Sequence, residues 1–241
     1  MLLASLSVTS VGMATTIIGV RTPDYFMIAA DSKARYRGTP GPEKVCKIYQ
    51  TGRLYFAIAG LEHDTQRGFY PKNIIAGNFI ESDAFGDSVN RIERAITSAL
   101  LTELSRLKSE DPEAYQFTLK EGDDALTILL AEIRHGTPYV AGRGFQYVQV
   151  TAPQVKVSRI TCPGDCPNGV ELFFLGKQAE AKQFVHDHPG ENFDPIVRAK
   201  KLVEVETQSW PEDVGLPVVV LRVDSNGPVW VANDSGCPVI P

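Results

Sequence analysis

Short apolar segments joined by turn residues are the feature that most limits how this chain can fold. The first four such segments are residues 15–20, 25–30, 44–49 and 53–60. Pro23 and Asp24 lie between the first two, and Thr51 and Gly52 lie between the last two; all four are residue types that favour turns. Because short strands joined by tight turns pair with each other, this pattern predicts antiparallel sheets.

A second pattern, with apolar residues three and four positions apart, predicts helices. It is clearest over residues 86–108, where the apolar stripe is Val89, Ile92, Ile96, Leu100, Leu104 and Leu107. Helices are also predicted over residues 177–187 and 193–208. The less regular stretch 61–82 predicts a helix that Pro71 interrupts.

Further strands complete the predicted fold. They are residues 125–133, 138–142, 170–176, 217–223 and 228–233, the last two joined through Asn226 and Gly227. The order is strands, two helices, strands, two helices, strands. This order favours an α+β fold in which two mainly antiparallel sheets pack together with helices outside. No linker-like segment interrupts residues 15–241, which are predicted to form a single domain.

Composition and charge exclude several classes of protein. Hydrophobic residues make up 43% of the 241 residues and charged residues 22%, as in ordinary globular proteins. No apolar run approaches the ~20 residues that cross a bilayer, so no membrane partner is expected. The net charge of −5 leaves no basic surplus for phosphates, so no nucleic acid partner is expected either.

The cysteines and histidines predict neither a disulfide framework nor a metal site. Four cysteines are few for a chain of this length, so reduced thiols and a cytoplasmic location are expected. Cys162 and Cys166 favour a turn with two free thiols, and a local disulfide stays open as the alternative. His186 and His188 are two positions apart and do not share a helix face. We therefore predict no metal and no cofactor.

Residues 1–14 form an apolar segment rich in small side chains. It contains no Lys or Arg, which the start of a secretory signal normally has. Three interpretations stay open: a short leader, an upstream start with Met13 as a second start, or a propeptide removed before Thr15. Gly12 and Ala14 are small residues, as cleavage after Ala14 would favour.

Three polar residues stand out because they are evenly spaced. Thr15, Asp31 and Lys47 are sixteen positions apart, and each lies beside or within an apolar segment. A lysine in such a segment usually faces solvent. It can also pair with an aspartate of an adjacent strand, and a buried lysine beside a carboxylate is a candidate functional group.

The segments that carry these residues resemble the start of a proteasome β subunit. They are ATTIIGV (14–20), MIAADSKA (27–34), EKVCKIY (43–49) and FAIAG (56–60). The family belongs to the N-terminal nucleophile (Ntn) hydrolases. The resemblance implies a four-layer αββα sandwich and a threonine-type peptidase that acts on peptides or proteins. It also implies self-association into a ring or other oligomer, with a regulatory ATPase as a further partner.

The resemblance assigns a role to each of four residues. Thr15 corresponds to the nucleophile, whose own α-amino group, once freed by cleavage, acts as the general base. Lys47 corresponds to the lysine that favours the deprotonated nucleophile, and Asp31 to the partner that orients this lysine. Gly60 corresponds to the glycine whose backbone N–H stabilises the oxyanion.

Two loops depart from the family pattern. The turn at Gly176 and Lys177 lacks the family's serine, and Val214 falls where a second serine is expected. Glu212 or Asp213 could supply the acid of that loop. These departures keep two alternatives open: an amidohydrolase for a non-peptide amide, and a non-catalytic subunit in which Thr15 stays internal.

Overall fold

A computed structural model gives the architecture of the chain. It describes residues 11–13, 15–33, 35–36, 39–40, 44–63, 68–110, 112, 115, 124–149, 153–166, 169–189 and 194–238. Most of the segment 1–14, including Ala14, therefore lies outside the described residues. No helix in the described ranges is both long enough and apolar enough to cross a membrane.

The first sheet has six antiparallel strands. They are β1 (Val11–Met13), β6 (Ile48–Thr51), β7 (Leu54–His63), β8 (Asp124–Arg134), β9 (Thr137–Gln149) and β10 (Pro153–Cys162). The order is β1-β7-β8-β9-β10, and β6 also pairs with β7. In register, β6 faces Leu54–Ala57 and β1 faces Gly60–His63, so both lie along the same edge of β7.

The second sheet has five antiparallel strands in the order β11-β2-β3-β12-β13. They are β2 (Thr16–Arg21), β3 (Tyr25–Ala30), β11 (Glu171–Gly176), β12 (Val219–Asp224) and β13 (Gly227–Ala232). Two short strands, β4 (Arg35–Tyr36) and β5 (Thr39–Pro40), pair only with each other.

Helices cover the outer faces of both sheets, and three hydrophobic cores separate the layers. The helices are α1 (Pro71–Asn78), α2 (Phe85–Glu110), α3 (Ala179–Asp187) and α4 (Pro195–Ser209). The stripe of α2 is buried with α1 against the first sheet, and α4 packs on the second sheet. A third core lies between the sheets. This arrangement confirms the predicted αββα sandwich.

Several local predictions need correction. Pro71 begins α1 instead of interrupting a helix, because the first helical position needs no N–H donor and suits the fixed φ of proline. Lys47 lies just outside a strand, since β6 begins at Ile48. The strand β10 was not predicted, although Val155 and Val157 alternate with polar residues along it and pack on the core under α2.

The expectation of reduced thiols is wrong. Cys46 is bonded to Cys237 and Cys162 to Cys166, and no cysteine is free. The first pair joins residues 191 positions apart, which sequence spacing could not reveal. For the second pair, the structure selects the local disulfide over the two free thiols that the sequence favoured.

Candidate functional site

Asp31 is the centre of the candidate site. It directly follows β3 and is completely buried. Its Oδ1 accepts hydrogen bonds from the Lys47 ammonium (2.8 Å) and the Thr16 amide (3.0 Å). Its Oδ2 accepts from the amides of Lys33 (3.1 Å) and Gly215 (3.2 Å). Four donors therefore fix the position of this carboxylate and stabilise its charge.

Lys47 is a buried cation, contrary to the usual solvent-facing position of a lysine. Its side chain is 0% exposed, as is that of Asp31. The preceding segment approaches the second sheet, where the Val45 amide donates to the Ser32 carbonyl (2.7 Å). Within the described residues, Asp31 is the single hydrogen-bond partner of the ammonium. A lysine has three N–H donors, so this ammonium can bind a further group.

Thr15 lies directly before β2 and is also buried, at 1% exposure. Its Oγ1 has no hydrogen-bond partner among the groups that the structure describes. Leaving a buried hydroxyl unpaired costs about 1–3 kcal/mol, so such a group calls for a functional explanation. Its neighbour Thr16 shares Asp31 Oδ1 with Lys47, which brings the Thr15–Thr16 peptide to the ion pair.

The turn after β11 holds Thr15 from the other side. The Lys177 amide donates to the Thr15 carbonyl (2.8 Å), and the Thr16 hydroxyl donates to the Lys177 carbonyl (3.0 Å). Gly176 has φ +73°, and a Cβ there would overlap the Thr15 carbonyl oxygen. Glycine is therefore required for this close approach.

Gly60 lies on β7, with the segment that precedes Thr15 beside it. Its φ is +102°, and a Cβ at this position would lie 2.6 Å from the Ala125 carbonyl oxygen. In the ladder between β1 and β7, Met13 is paired with Gly60. The chain just before Thr15 therefore runs antiparallel to the strand of this glycine.

Sequence reasoning did not find the contacts of the loop 210–215. The Lys177 ammonium lies 3.7 Å from Asp213 and 4.4 Å from the ring centre of Trp210. The Lys33 ammonium donates to the Pro211 carbonyl (2.6 Å). Of the two acids in this loop, Asp213 is thus the one paired with Lys177. The sequence showed that residue 177 is a lysine where the family pattern has a serine. It did not show that this lysine pairs with Asp213.

Glu206 is a second group that the sequence did not reveal. It lies on α4, is completely buried, and its Oε1 accepts from the Ala181 amide (2.8 Å) at the start of α3. The residue before α3, Gln178, makes no side-chain cap. Burial raises the pKa of Glu206, which backbone hydrogen bonds only partly offset. Glu206 thus caps the helix that follows the Lys177 turn.

A crevice of about 310 Å³ opens between the sheets beyond the edge strand β11. Thr127 and Leu175 line it on the side of the candidate site, and it is also lined by Gln178, directly before α3, and by Lys182 on α3. Thr127 also donates to the carbonyl of Ala59, the residue before Gly60 (3.4 Å). The crevice therefore adjoins the elements that hold Thr15 and Gly60.

Comparison with known families agrees with this geometry. The family model described as "Proteasome subunit" matches residues 11–69, a range that contains Thr15, Asp31, Lys47 and Gly60. No curated protein matches the chain. The family match confirms the resemblance to proteasome subunits that the first segments indicated.

Proposed function

We propose that this chain, which matches the proteasome subunit family over residues 11–69, is a threonine-type peptidase of the Ntn hydrolase type with Thr15 as its nucleophile. One observation carries the proposal: the Lys47 ammonium and the Thr16 amide meet on one oxygen of the buried Asp31, and the buried hydroxyl of the adjacent Thr15 has no partner among the described residues. A structural ion pair would not need an unpaired hydroxyl beside it.

The first requirement is a free amine on Thr15. A threonine within the chain has no amine to act as base, so the Ala14–Thr15 bond must be cleaved. The pairing of β1 with β7 supports this step, because it lays the preceding residues along the strand of Gly60. The mature protein would then be the single domain of residues 15–241.

The second requirement is a group that stabilises the deprotonated hydroxyl. Asp31 holds the Lys47 ammonium in a site with no solvent exposure, where a charge acts strongly on its neighbours. The Thr15 amine takes the proton of Oγ1 as Oγ1 attacks the substrate carbonyl, and Lys47 stabilises the developing alkoxide.

The remaining steps follow from ordinary acyl transfer. The backbone N–H of Gly60 donates to the oxyanion of the tetrahedral intermediate. The ammonium of Thr15 returns its proton to the leaving amine, which leaves an ester between Thr15 and the acyl group. Water then hydrolyses this ester, with the amine again acting as base. No cofactor takes part.

The substrate proposed is a peptide or protein segment. We infer that the crevice lined by Thr127 and Leu175, which are next to the elements that hold Gly60 and Thr15, accommodates a side chain of this substrate. The proteasome-like family suggests oligomeric assembly, and we extend this to self-association of the chain, with a regulatory ATPase as a further partner. The cytoplasmic location stays a prediction, and the two disulfides argue against it because cytosolic reductants keep thiols reduced.

A non-catalytic subunit is the second candidate function. Lys177 and Val214 occupy the positions where the family pattern has serines, and the structure pairs Lys177 with Asp213 instead. In this case Thr15 would stay internal. A third candidate, an amidohydrolase for a non-peptide amide, would differ from the proposed peptidase only in its substrate.

Thr15→Ala and Thr15→Ser test the proposal. Thr15→Ala should abolish peptide hydrolysis and retain residues 1–14, whereas Thr15→Ser should keep measurable activity because it retains a hydroxyl and an amine. Thr16→Ser is the matched control, since its hydroxyl can still donate to the Lys177 carbonyl. Equal hydrolysis by wild type and Thr15→Ala would exclude Thr15 as the nucleophile.

A further inference from the structure

The segment that carries Lys47 has few anchors of its own. Residues 44–47 precede β6 and form no strand, so no ladder of backbone hydrogen bonds fixes them. On the side of the second sheet, the Val45 amide donates to the Ser32 carbonyl (2.7 Å) and Lys47 pairs with Asp31 (2.8 Å). The only covalent anchor in this segment is the bond from Cys46 to Cys237.

The far end of that disulfide is firmly held. The Asn233 side chain accepts from the Cys237 amide (2.7 Å) and donates to the Cys237 carbonyl (3.0 Å). The Trp230 indole, on β13, donates to the Pro238 carbonyl (3.2 Å). Cys237 is nearly buried in the core between the sheets. The disulfide thus ties the residue before Lys47 to the edge of the second sheet.

The other disulfide has a local role. Cys162 and Cys166 close a turn at the end of β10. Two other hydrogen bonds hold the same turn: the Asp165 amide donates to the Thr161 carbonyl (2.7 Å), and the Thr161 amide donates to the Asp165 carboxylate (2.8 Å). This pair therefore provides a matched control within the same chain.

We propose that the Cys46–Cys237 disulfide is a positioning element for Lys47, so that the site around Thr15 is complete only in the oxidised protein. The proposal rests on the function proposed above and adds a redox condition to it. Asp31, the partner of Lys47, follows β3, and Cys237, the partner of Cys46, follows β13; both strands belong to the second sheet. Lys47 itself directly precedes β6 of the first sheet.

The chemical step is ordinary thiol–disulfide exchange. A thiolate of an added dithiol attacks one sulfur, the bond between Cys46 and Cys237 breaks, and a mixed disulfide forms. The second thiol of the reagent then releases the remaining cysteine and becomes oxidised, so two electrons pass to the protein. The segment 44–47 then keeps only noncovalent anchors. A displacement of about 1 Å at a reacting group can lower a rate ~10²-fold.

Two double variants test the proposal: Cys46→Ser with Cys237→Ser, and Cys162→Ser with Cys166→Ser as control. Hydrolysis of a peptide by the mature protein gives kcat and KM, and an amine-acylating reagent followed by peptide mass mapping reports exposure of Lys47. We expect the first variant to lose kcat by about 10²-fold, with KM nearly unchanged and Lys47 labelled faster than in wild type. The control should match wild type in all three measurements.

The labelling measurement separates this proposal from the proposed function, since it needs no activity. If wild type hydrolyses no peptide, the proposed function fails, and faster Lys47 labelling after loss of the disulfide still supports the positioning role. If the first variant does not fold, the same labelling is carried out on folded wild type treated with dithiothreitol below its melting temperature. Lys47 labelling that stays at the wild-type rate in either form overturns the proposal.

Discussion

Two buried charge clusters in this chain differ in how completely their hydrogen bonds are used. At the interface of α2 and the first sheet, Glu93 accepts from Arg143 (2.9 Å) and twice from Arg159 (2.6 and 2.9 Å). The other donors of Arg143 go to the carbonyls of Gly142 and Ile160 and to the Thr161 hydroxyl. Four of the five N–H donors of Arg143 and both oxygens of Glu93 are therefore paired, as expected of a structural network.

The Asp31–Lys47 pair is different. Each carboxylate oxygen of Asp31 accepts two hydrogen bonds. Among the described residues, in contrast, the ammonium of Lys47 has one partner and the hydroxyl of Thr15 has none. Buried ion pairs contribute little net stability compared with apolar residues of the same size. Donors left unused beside an unpaired hydroxyl are therefore better explained by chemistry than by stability.

The largest expected effect is that of Lys47→Ala. It removes the charge that stabilises the Thr15 alkoxide, so peptide hydrolysis should fall by ~10²–10³-fold. It also leaves Asp31 buried without its cation, which should lower the free energy of unfolding by about 3–5 kcal/mol. Hydrolysis and thermal melting of the same preparation, measured below its melting temperature, check both effects.

Lys47→Arg is the matched control for charge. Its planar guanidinium cannot occupy the position of a compact ammonium, so activity should stay low although the charge is retained. If Lys47→Ala hydrolysed the peptide at the wild-type rate, the Asp31–Lys47 pair would have no more part in catalysis than the Glu93 cluster.

Arg143→Met should lower stability and leave activity unchanged, unlike Lys47→Ala, which should lower both. It removes one of the three hydrogen bonds to the largely buried Glu93 carboxylate and leaves the two from Arg159. The free energy of unfolding should fall by about 3 kcal/mol, while kcat at a temperature where the variant is folded stays at the wild-type value. A loss of kcat as large as that of Lys47→Ala would show that this cluster is not purely structural.

The loss of stability at acidic pH gives a further test of the Glu93 cluster. Burial alone would raise the pKa of Glu93, but the hydrogen bonds and charges of Arg159 and Arg143 outweigh it and hold the pKa below its ordinary value. Because the folded pKa is depressed, this stabilisation is present above the unfolded pKa of about 4.3 and is lost as pH falls through the folded value. Melting temperature against pH should therefore decline less steeply in Glu93→Gln. An unchanged slope in that variant would assign this loss of stability to other carboxylates.

The smallest expected effect concerns Glu206. Because burial raises its pKa, ionisation of Glu206 lowers stability as pH rises from the unfolded value through the folded one. Glu206→Gln keeps an oxygen that can accept from the Ala181 amide and removes this cost, so the neutral-pH melting temperature should be equal or higher. Glu206→Leu removes the cap and should cost about 0.5–2 kcal/mol. Equal melting of the Gln and Leu variants would contradict the capping role.

The packing of two antiparallel sheets between helices was predictable because it depends on local patterns, whereas the four-layer fold name and the roles of Thr15, Asp31, Lys47 and Gly60 came from the family resemblance, and those roles stay predictions. Apolar runs and the stripe of α2 determine the layers, and Asp31 and Lys47 were conspicuous as charges beside apolar strands. The partners that come from distant parts of the chain were not predictable. Gly215, Lys177 with Asp213, and Cys46 with Cys237 meet only through tertiary packing, and Glu206 looks like any polar residue of a helix.

The central claim is that Thr15 works from a free N-terminus. Intact mass and N-terminal sequencing of purified protein that hydrolyses a peptide test it most directly. We predict that the active chain begins at Thr15 and that Thr15→Ala, purified in the same way, keeps the preceding residues and is inactive. An active chain that begins at Met1 or Met13 would contradict the account.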